Sequence, residues 1–272
     1  MQAENIPTAM TIATSDSGGG AGIQADLKAF ARCGVHGTSA IVALTAQNTH
    51  EVVSVETLPR QFILDQVRAV AEDIGADAVK IGMLFDAPTI EAVNEALDLV
   101  GNAPVVLDPV MVAESGAVLL KPDAKRALIE LILPRATVVT PNLGEARELS
   151  GLGEDASPED LARAVQALGA GAAVVTGGHL EDGADRFFDG EQLEEIPGER
   201  YPAGASHGSG CTHSSALAAR LALGDSPLEA AQEARRIAGE AVGHGLRDIG
   251  SGAGPVDVLD AVQSARGAGR PA

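Results

Sequence analysis

The sequence of 272 residues lacks the features that mark several classes of protein. Its two cysteines, Cys33 and Cys211, are too few for a disulfide framework, so we expect a reducing compartment. No apolar run reaches the ~18 residues that a membrane-spanning helix needs, and no basic segment followed by an apolar stretch marks an export signal. A cytoplasmic protein is therefore the expectation.

Basic residues are also scarce. Nineteen lysines and arginines stand against 38 acidic residues, which gives a net charge of −19. Such a surface repels nucleic acids and anionic membranes, so we expect neither as a partner. The acidity has two interpretations that stay open: a solvated shell that maintains solubility, and a cytoplasm of high ionic strength in which salt screens the self-repulsion.

What the sequence does have is apolar content and a regular alternation of segments. Hydrophobic residues make up 45% of the chain, which excludes intrinsic disorder. Short β-branched runs predict buried strands, and amphipathic segments between them predict helices. The strands are expected at 8–13, 39–44, 78–81, 105–107, 137–140 and 172–176, and the helices at 61–74, 89–100, 123–133 and 159–168. This order predicts one α/β domain whose parallel sheet has helices on both faces.

The carboxy-terminal third departs from this alternation. Phe187 and Phe188 precede an Asp-Gly turn and an apolar run at 193–196, which predicts an antiparallel hairpin. Two helices, at 209–223 and 226–246, are expected after it. We assign residues 8–263 to the domain and expect flexible ends at 1–7 and 264–272.

Ligands bind beyond the carboxyl ends of parallel strands, so the residues after each predicted strand are the candidate site. Glycines 18, 19, 20 and 22 follow the first strand and allow the backbone to approach a ligand, although a tight turn alone would explain them. Gln47 follows the second strand, and its amide suits the edge of a heteroaromatic ring as well as it suits a turn. Met83 follows the third strand, where core packing alone would explain it.

Two further strand ends carry oxygen ligands. Asp108 follows the strand at 105–107, and Asn142 and Glu145 lie three residues apart at a helix start. Such oxygens suit hydrated Mg²⁺ near phosphates. An N-cap with a carboxylate in the first turn is the alternative for Asn142 and Glu145.

The strongest local signal is the segment 206–212, which opens an alanine-rich helix. Gly208, Ser209 and Gly210 leave backbone amides free at a helix N-terminus, where an anion is stabilised. We expect the same field to lower the pKa of the Cys211 thiol, which makes it a candidate base or nucleophile. A buried, unreactive cysteine is the alternative, and the histidines nearby show no zinc-site spacing.

Together these segments resemble the hydroxymethylpyrimidine/phosphomethylpyrimidine kinases of thiamine biosynthesis, in the ribokinase-like superfamily. The matching stretches keep their order: GGAGIQADLK at 19–28, AQNT at 46–49, KIGM at 80–83, LDPVM at 107–111, TPNL at 140–143, GGH at 177–179 and HGSGCT at 207–212. The resemblance implies a three-layer α/β/α sandwich with a mostly parallel central sheet and no separate lid domain. It also implies transfer of a phosphoryl group, dependent on ATP and Mg²⁺, to 4-amino-5-hydroxymethyl-2-methylpyrimidine and then to the monophosphate.

The resemblance further implies roles for individual residues. The pyrimidine and its hydroxymethyl group would be contacted by Gln47, Met83, Asp26, Gly20 and Gly22. Mg²⁺ would be held by Asp108, Asn142 and Glu145, and the nucleotide would be contacted by Asn142 and Thr176. The anion hole would be formed by Gly208, Ser209 and Gly210, beside Cys211 in the position of the catalytic base.

Three positions depart from the family's pattern. Thr176 stands where many relatives have a lysine that contacts nucleotide phosphates, Glu114 stands where lysine or threonine is common, and Thr14 replaces a glycine. Two alternatives therefore stay open: a pyridoxal kinase of the same fold, and a pyrimidine- or nucleotide-binding protein without catalysis. Kinases of this kind are often dimers, so a homodimer is compatible with the resemblance, although no residue pattern shows an interface.

Overall fold

The short apolar runs form the centre of a nine-stranded sheet. The computed structural model describes residues 6–113, 116–178, 180, 182–201 and 205–261. Within these ranges the strands are β1 (Thr8–Asp16), β2 (His36–Gln47), β3 (Val52–Thr57), β4 (Ala78–Ile81), β5 (Val105–Leu107), β6 (Val138–Val139), β7 (Ala172–Val175), β8 (Asp185–Phe188) and β9 (Leu193–Ile196). Their order across the sheet is β3-β2-β1-β4-β5-β6-β7-β8-β9. The six central strands pair in parallel, in the order β2-β1-β4-β5-β6-β7. The edge strands β3, β8 and β9 pair antiparallel.

Helices cover both faces of this sheet. They are α1 (Gly22–Arg32), α2 (Arg60–Asp73), α3 (Ala87–Ala96), α4 (Ala124–Ala127), α5 (Leu143–Ser150), α6 (Pro158–Gln166), α7 (Ser209–Ala222) and α8 (Pro227–Gly243). Apolar residues of α2 to α6 belong to the cluster on one face, and those of α1, α7 and α8 to the cluster on the other. The expected three-layer α/β/α architecture is confirmed.

Successive residues of the central strands point to opposite faces. In β5, Val105 and Leu107 belong to the cluster under α2 to α6, whereas Val106 belongs to the cluster under α7 and α8. Both faces of these strands are buried, so most of their positions are apolar and the strands read as nearly continuous apolar runs. This is why each predicted central strand overlaps an observed one.

The edges and helix ends were harder to predict. The structure also contains β3, which the sequence analysis did not predict. This edge strand has polar and exposed positions, including Val53 at 65% exposure, so it lacks a continuous apolar run. The helix predicted at 123–133 is α-helical only over α4; it continues as a π-helix over Leu128–Ile132 and a 3₁₀ turn over Leu133–Arg135. Pro134 in that turn lacks the amide that would continue an α-helix.

The carboxy-terminal elements follow the prediction. Strands β8 and β9 form the expected antiparallel hairpin, in which the Asp189 carboxylate accepts the amides of Glu191 and Gln192. The last predicted helix ends earlier than expected, at Gly243. Residues 1–5 and 262–272, which include most of the ends expected to be flexible, lie outside the described residues. In the part of the chain that the structure describes, no helix is long and apolar enough to cross a membrane.

Candidate active site

The carboxyl ends of the parallel strands meet at a cavity of about 450 Å³, called here the first cavity. Its walls come from the ends of β1 and β2, from the residues after β4 to β7, and from the start of α7. The predicted site residues that line it are Gly22, Gln47, Met83, Asp108, Asn142, Glu145, Thr176, Gly208, Ser209, Gly210 and Cys211. Parallel pairing therefore brings together residues from seven separate segments of the chain.

The N-terminus of α7 opens directly into the first cavity. Gly208 is its N-cap, with a φ of +85° and no side chain capping the helix. A Cβ atom at this position would collide with the carbonyl of Gly20, so only glycine fits. The amides of a helix start have no partner within the helix, and the helix dipole adds a partial positive charge. This end of the cavity is therefore suited to an anion.

Cys211 lies in the first turn of α7 and lines the same cavity. Burial raises the pKa of its thiol to about 12, although the charge of Lys80 acts in the opposite direction. The expectation that the helix field lowers this pKa is therefore wrong, because loss of hydration outweighs the field. In the ligand-free protein the thiol keeps its proton at neutral pH.

A buried lysine lies beneath the cavity. The Lys80 side chain is 0% exposed; its Nζ lies 2.9 Å from the Asp26 carboxylate and 3.9 Å from that of Asp108. Asp26 also accepts hydrogen bonds from the hydroxyls of Thr11 (2.6 Å) and Ser215 (2.7 Å). Burial alone would lower the pKa of Lys80, but the charge of Asp26 and its neighbours raises it above the usual value, so the lysine stays charged.

Two predicted substrate contacts need correction. Asp26 is fully buried below the cavity and, among the described residues, is not part of its wall. Its carboxylate is used by Lys80, so it supports the site rather than touching a substrate. Gly20 is not part of the wall either: a Cβ atom there would collide with the ring of His207, so this glycine allows the ring to pack closely.

Two of the three predicted metal ligands, Asn142 and Glu145, form a helix cap. Asn142 accepts the Glu145 amide (3.0 Å) through its side chain, and Glu145 accepts the Asn142 amide (2.9 Å), which is a complete capping box for α5. Burial, and then the charge of Asp108, raises the pKa of Glu145 to about 8. Burial also raises the pKa of Asp108, against the charge of Lys80.

This arrangement fits a divalent cation. Burial raises the pKa of both carboxyl groups, and Asp108 raises that of Glu145 further, so a nearby cation would stabilise their charged forms. The described residues contain no group of three or more histidine, cysteine, aspartate or glutamate side chains placed to hold a metal. The oxygens available here are those of two carboxyl groups and the Asn142 side chain, a set that would leave positions for water and phosphate oxygens around a hydrated Mg²⁺.

The part of the first cavity predicted to bind the pyrimidine ring is lined by Gln47 and Met83. Gln47 is half-buried, and its side-chain oxygen accepts the Thr45 hydroxyl at 3.3 Å. Met83 is nearly buried, and its carbonyl accepts the Thr14 hydroxyl at 2.9 Å. Thr14, one of the departures from the family pattern, lines the cavity beside Met83.

Sequence reasoning did not identify the pair formed by Asp16 and His207. The two side chains lie 3.2 Å apart, and Asp16 also accepts the amides of Gly18, Gly20 and Ala21. Burial raises the pKa of Asp16, but the hydrogen bonds from His207 and these amides bring it below the usual value. Asp16 is therefore ionised, and its carboxylate holds the glycine-rich loop in place through these amides.

A second cavity of about 340 Å³ adjoins the first. The two share the walls formed by Asn142, Thr176, Ser206, Ser209 and Gly210, so they meet at the start of α7. The far wall of the second cavity is apolar where α8 contributes Ala238, Gly239 and Val242, and Tyr201 lies beside them. Glu114 and His179, which the resemblance singled out, lie outside the described residues.

Comparison with known proteins decides the family. The phosphomethylpyrimidine kinase family model matches residues 16–257, which include the strands and helices around both cavities. The chain belongs to the phosphomethylpyrimidine kinase family. The predicted membership is thus confirmed.

Individual members of this family and of its fold are similar over nearly the whole chain. The hydroxymethylpyrimidine/phosphomethylpyrimidine kinase of Rhizobium meliloti (strain 1021) is 48% identical over 254 residues, which are 91% of this chain and 95% of that protein. A crystal structure of phosphomethylpyrimidine kinase from Clostridium difficile 630 is 40% identical with a TM-score of 0.76, covering 87% of this chain and 99% of that one. The pyridoxal kinase of Staphylococcus aureus in complex with ADP is 35% identical with a TM-score of 0.85, covering 94% of both chains.

In this member of the phosphomethylpyrimidine kinase family, one missed residue had a visible signal. Lys80 is a charged residue at the centre of an otherwise apolar strand, β4, and such a lysine is rarely buried without a partner. Its partners Asp26 and Asp108 come from other segments, so their pairing appears only in the folded chain.

Proposed function

We propose that the protein transfers the γ-phosphoryl group of ATP to the hydroxymethyl oxygen of 4-amino-5-hydroxymethyl-2-methylpyrimidine, and then a second one to the monophosphate. The observation that carries this proposal is the meeting of two cavities at the amino end of α7, with Cys211 facing the first. Two substrates placed in these cavities would have their reacting groups at the anion-binding helix end. The family and the names of the relatives support the same reaction.

The pyrimidine would occupy the first cavity. Gln47 offers an amide that can both donate to and accept from the ring's amino group and nitrogen, and Met83 offers an apolar surface for the ring face. The hydroxymethyl group would then point towards Cys211 and the start of α7. Holding the two reactants in this way lowers the entropic part of the barrier.

The nucleotide would occupy the second cavity, with its phosphates at the shared wall. Thr176 and Asn142 lie on neighbouring segments joined by a parallel β-bridge, which places both at that wall. The S. aureus pyridoxal kinase structure of the same fold contains ADP, in support of a nucleotide site in this protein. Amides of Gly208, Ser209 and Gly210 would stabilise the transferring phosphoryl group.

Asp108, Glu145 and the Asn142 side chain would hold Mg²⁺, which neutralises charge on the phosphates when it is bound. Ser214 keeps the Asp108 carboxylate oriented through a hydrogen bond of 3.1 Å. The α5 capping box orients Glu145 and Asn142 in the same way. These contacts hold the oxygen ligands in place before any substrate binds.

Transfer forms a bond between the hydroxymethyl oxygen and the γ-phosphorus and breaks the bond from that phosphorus to the β–γ bridging oxygen. The proton of the hydroxymethyl group is assigned to Cys211, whose thiol is neutral in the ligand-free protein and would first have to ionise. Lys80 and the helix N-terminus favour this ionised form, and burial opposes it. Cys211 is thus the residue whose removal should slow the chemical step.

The test is a product analysis by mass spectrometry. Protein is incubated with Mg·ATP and either the hydroxymethylpyrimidine or pyridoxal. A pyrimidine product that gains two phosphates is the expected result, and Cys211→Ala should lower turnover by about 100-fold or more. Cys33→Ala is the matched control, because Cys33 follows α1 and lines neither cavity among the described residues.

Two other results would contradict the proposal. The similarity to the S. aureus pyridoxal kinase favours pyridoxal as a second candidate substrate. Phosphate transfer to pyridoxal alone would establish that alternative. Binding of both substrates without transfer to either would establish a binding protein.

A further inference from the structure

A cluster of buried polar side chains beside the second cavity takes part in none of the steps above. Asp185 starts β8, His213 lies in α7 and Arg235 lies in α8, and all three line the cavity. The side chains of Asp185 and His213 are 0% and 4% exposed. Three elements that are remote in sequence therefore bring a carboxylate, an imidazole and a guanidinium to one place.

Several polar atoms of this cluster are unsatisfied. Within the described ranges, Asp185 Oδ2, both ring nitrogens of His213 and Arg235 Nε have no hydrogen-bond partner. His213 Nε2 lies 3.1 Å from Asp185 Oδ2, and Arg235 Nε lies 3.6 Å from Asp185 Oδ1, but neither contact has the geometry of a hydrogen bond. Asp185 Oδ1 does accept the Gly177 amide at 2.7 Å. Buried polar atoms without partners are unfavourable, so a bound molecule that pairs with them gains affinity.

The position of His213 on its helix places it near the phosphate end of the cavity. It follows Ser209 by four residues and so lies on the same face of α7, one turn further along. Helical side chains lean towards the N-terminus, so the ring is directed to the side where Ser209 lines both cavities. A ligand that extends from that end towards the apolar wall of α8 passes the ring.

The surroundings favour the nucleoside part of such a ligand over its phosphates. Asp185 places a buried carboxylate 3.1 Å from the His213 ring, and a phosphate there would be repelled. A sugar hydroxyl or a base edge has both donors and acceptors and carries no charge. It matches the mixture of unpaired donors and acceptors on Asp185, His213 and Arg235.

We propose that His213 is a specificity-determining residue for the phosphoryl donor: its ring hydrogen-bonds the nucleoside part of a nucleoside triphosphate in the second cavity. Asp185, 3.1 Å from the ring, and Arg235, 3.6 Å from Asp185, line the same cavity beside it. This inference rests on the proposed function, because it requires a nucleotide in that cavity.

The test compares calorimetric affinities for ATP and for inorganic tripolyphosphate, which lacks the nucleoside. His213→Leu should weaken ATP binding about tenfold and leave tripolyphosphate binding within about twofold of the unchanged protein. His213→Gln retains a donor and an acceptor, so it should keep most of the ATP affinity. The matched control is His36→Leu, at the exposed start of β2, which should change neither.

A second measurement does not depend on the leucine variant folding. Protein labelled with ¹⁵N-histidine is titrated with each ligand, and the ring signals of His213 are assigned as those that His213→Gln lacks. These signals should move on addition of ATP and not on addition of tripolyphosphate.

The outcomes separate the two proposals. Three results would each overturn the role of His213. They are an unchanged ATP affinity in folded His213→Leu, an equal weakening of ATP and tripolyphosphate binding, and His213 ring signals that do not move when ATP is added. Wild-type protein that binds no ATP would instead refute the proposed function. Wild-type protein that phosphorylates the pyrimidine while His213→Leu binds ATP normally would refute only the inference about His213.

Discussion

Lys80 supplies the positive charge next to two buried carboxylates, those of Asp26 and Asp108. It is the positive partner of Asp26 at 2.9 Å and lies 3.9 Å from Asp108, and water reaches almost none of the three side chains. An ion pair of this kind contributes little net stability when it is complete, because its formation costs hydration. Removal of one member is different, since it leaves buried charge without a partner.

Lys80→Met should therefore lower the free energy of unfolding by about 3–5 kcal/mol, measured by urea denaturation at pH 7. The loss should shrink as the pH falls towards ~4, because protonated aspartates need no counter-charge and burial already raises the pKa of Asp108. Lys121→Met is the matched control: its partner is Asp86, and the Lys121 side chain is half-exposed, so a much smaller loss is expected. Equal losses in both variants would mean that Lys80 is not the charge on which this region depends.

At the same scale, the sequence predicted where most of the candidate site residues lie better than it predicted their ionisation. The order of the motifs predicted the positions of Cys211, Asn142 and Gln47 at strand and helix ends. The pKa of Cys211 was predicted in the wrong direction, because burial of a thiol depends on the packing of distant segments. Asp26 was misplaced for a related reason: its role depends on Lys80, 54 residues away.

Two helices of the molecule begin with similar caps and differ in what the caps face. Asn142 caps α5 and lines both cavities, whereas Ser157 caps α6 through a 3.1 Å hydrogen bond from the Asp160 amide and lines neither among the described residues. The sequence predicts this cap, because Ser157 is followed by Pro158 at the first helical position and by Asp160 three residues after the cap, and the structure confirms it. Substitution of Ser157 therefore tests the loss of a helix cap alone, whereas substitution of Asn142 tests the loss of a helix cap together with a cavity residue.

Asn142→Ala and Ser157→Ala should each lower the free energy of unfolding by about 1 kcal/mol, since each removes one helix cap. Only Asn142→Ala should also raise the concentration of Mg²⁺ that half-saturates turnover. The two quantities are read from thermal denaturation and from turnover at increasing Mg²⁺. If Ser157→Ala altered the Mg²⁺ dependence as strongly, the assignment of Asn142 to the metal site would fail.

Predictability of the elements follows burial. Central strand β5 is apolar at every position and β4 is apolar except for Lys80, and both were predicted at their observed bounds. The edge strand β3 carries Ser54 and Glu56 and has no such pattern. The segment after α4 forms a π-helix, although its sequence reads as an ordinary amphipathic helix.

For the whole molecule, the net charge of −19 opposes the ligand that the second cavity is proposed to hold. ATP is itself an anion, so its approach is slowed by the field of the protein. Salt shortens the reach of that field from about 10 Å at 0.1 M to about 3 Å at 1 M. The pyrimidine substrate is uncharged and should be insensitive to this effect.

The KM for ATP should therefore fall when KCl is raised from ~0.1 M to ~1 M, while the KM for the pyrimidine changes little. Both constants come from steady-state turnover with the other substrate saturating. A parallel change of the two would point to a general effect on the fold. Turnover that declines steadily over this range would contradict an adaptation to high ionic strength.

The two cavities also differ in how far the sequence predicts them. The first cavity follows from the rule that ligands bind at the carboxyl ends of parallel strands, and most of its predicted residues do line it. The second shares Asn142, Thr176, Ser209 and Gly210 with these predicted segments, but its other walls come from β8, the segment after β9, α7 and α8, which no motif marks as a site. Asp185, His213 and Arg235 are ordinary residues in the sequence until the fold brings them together.

The wall that Tyr201 forms in the second cavity gives the protein a built-in optical probe. The chain has one tyrosine and no tryptophan, so its ultraviolet emission comes from a single phenol ring. That ring lies against Gly243 of α8, and its hydroxyl donates to Glu199, which lines the same cavity. A nucleoside entering the cavity would change the surroundings of this one fluorophore, so occupancy can be followed in the unlabelled protein.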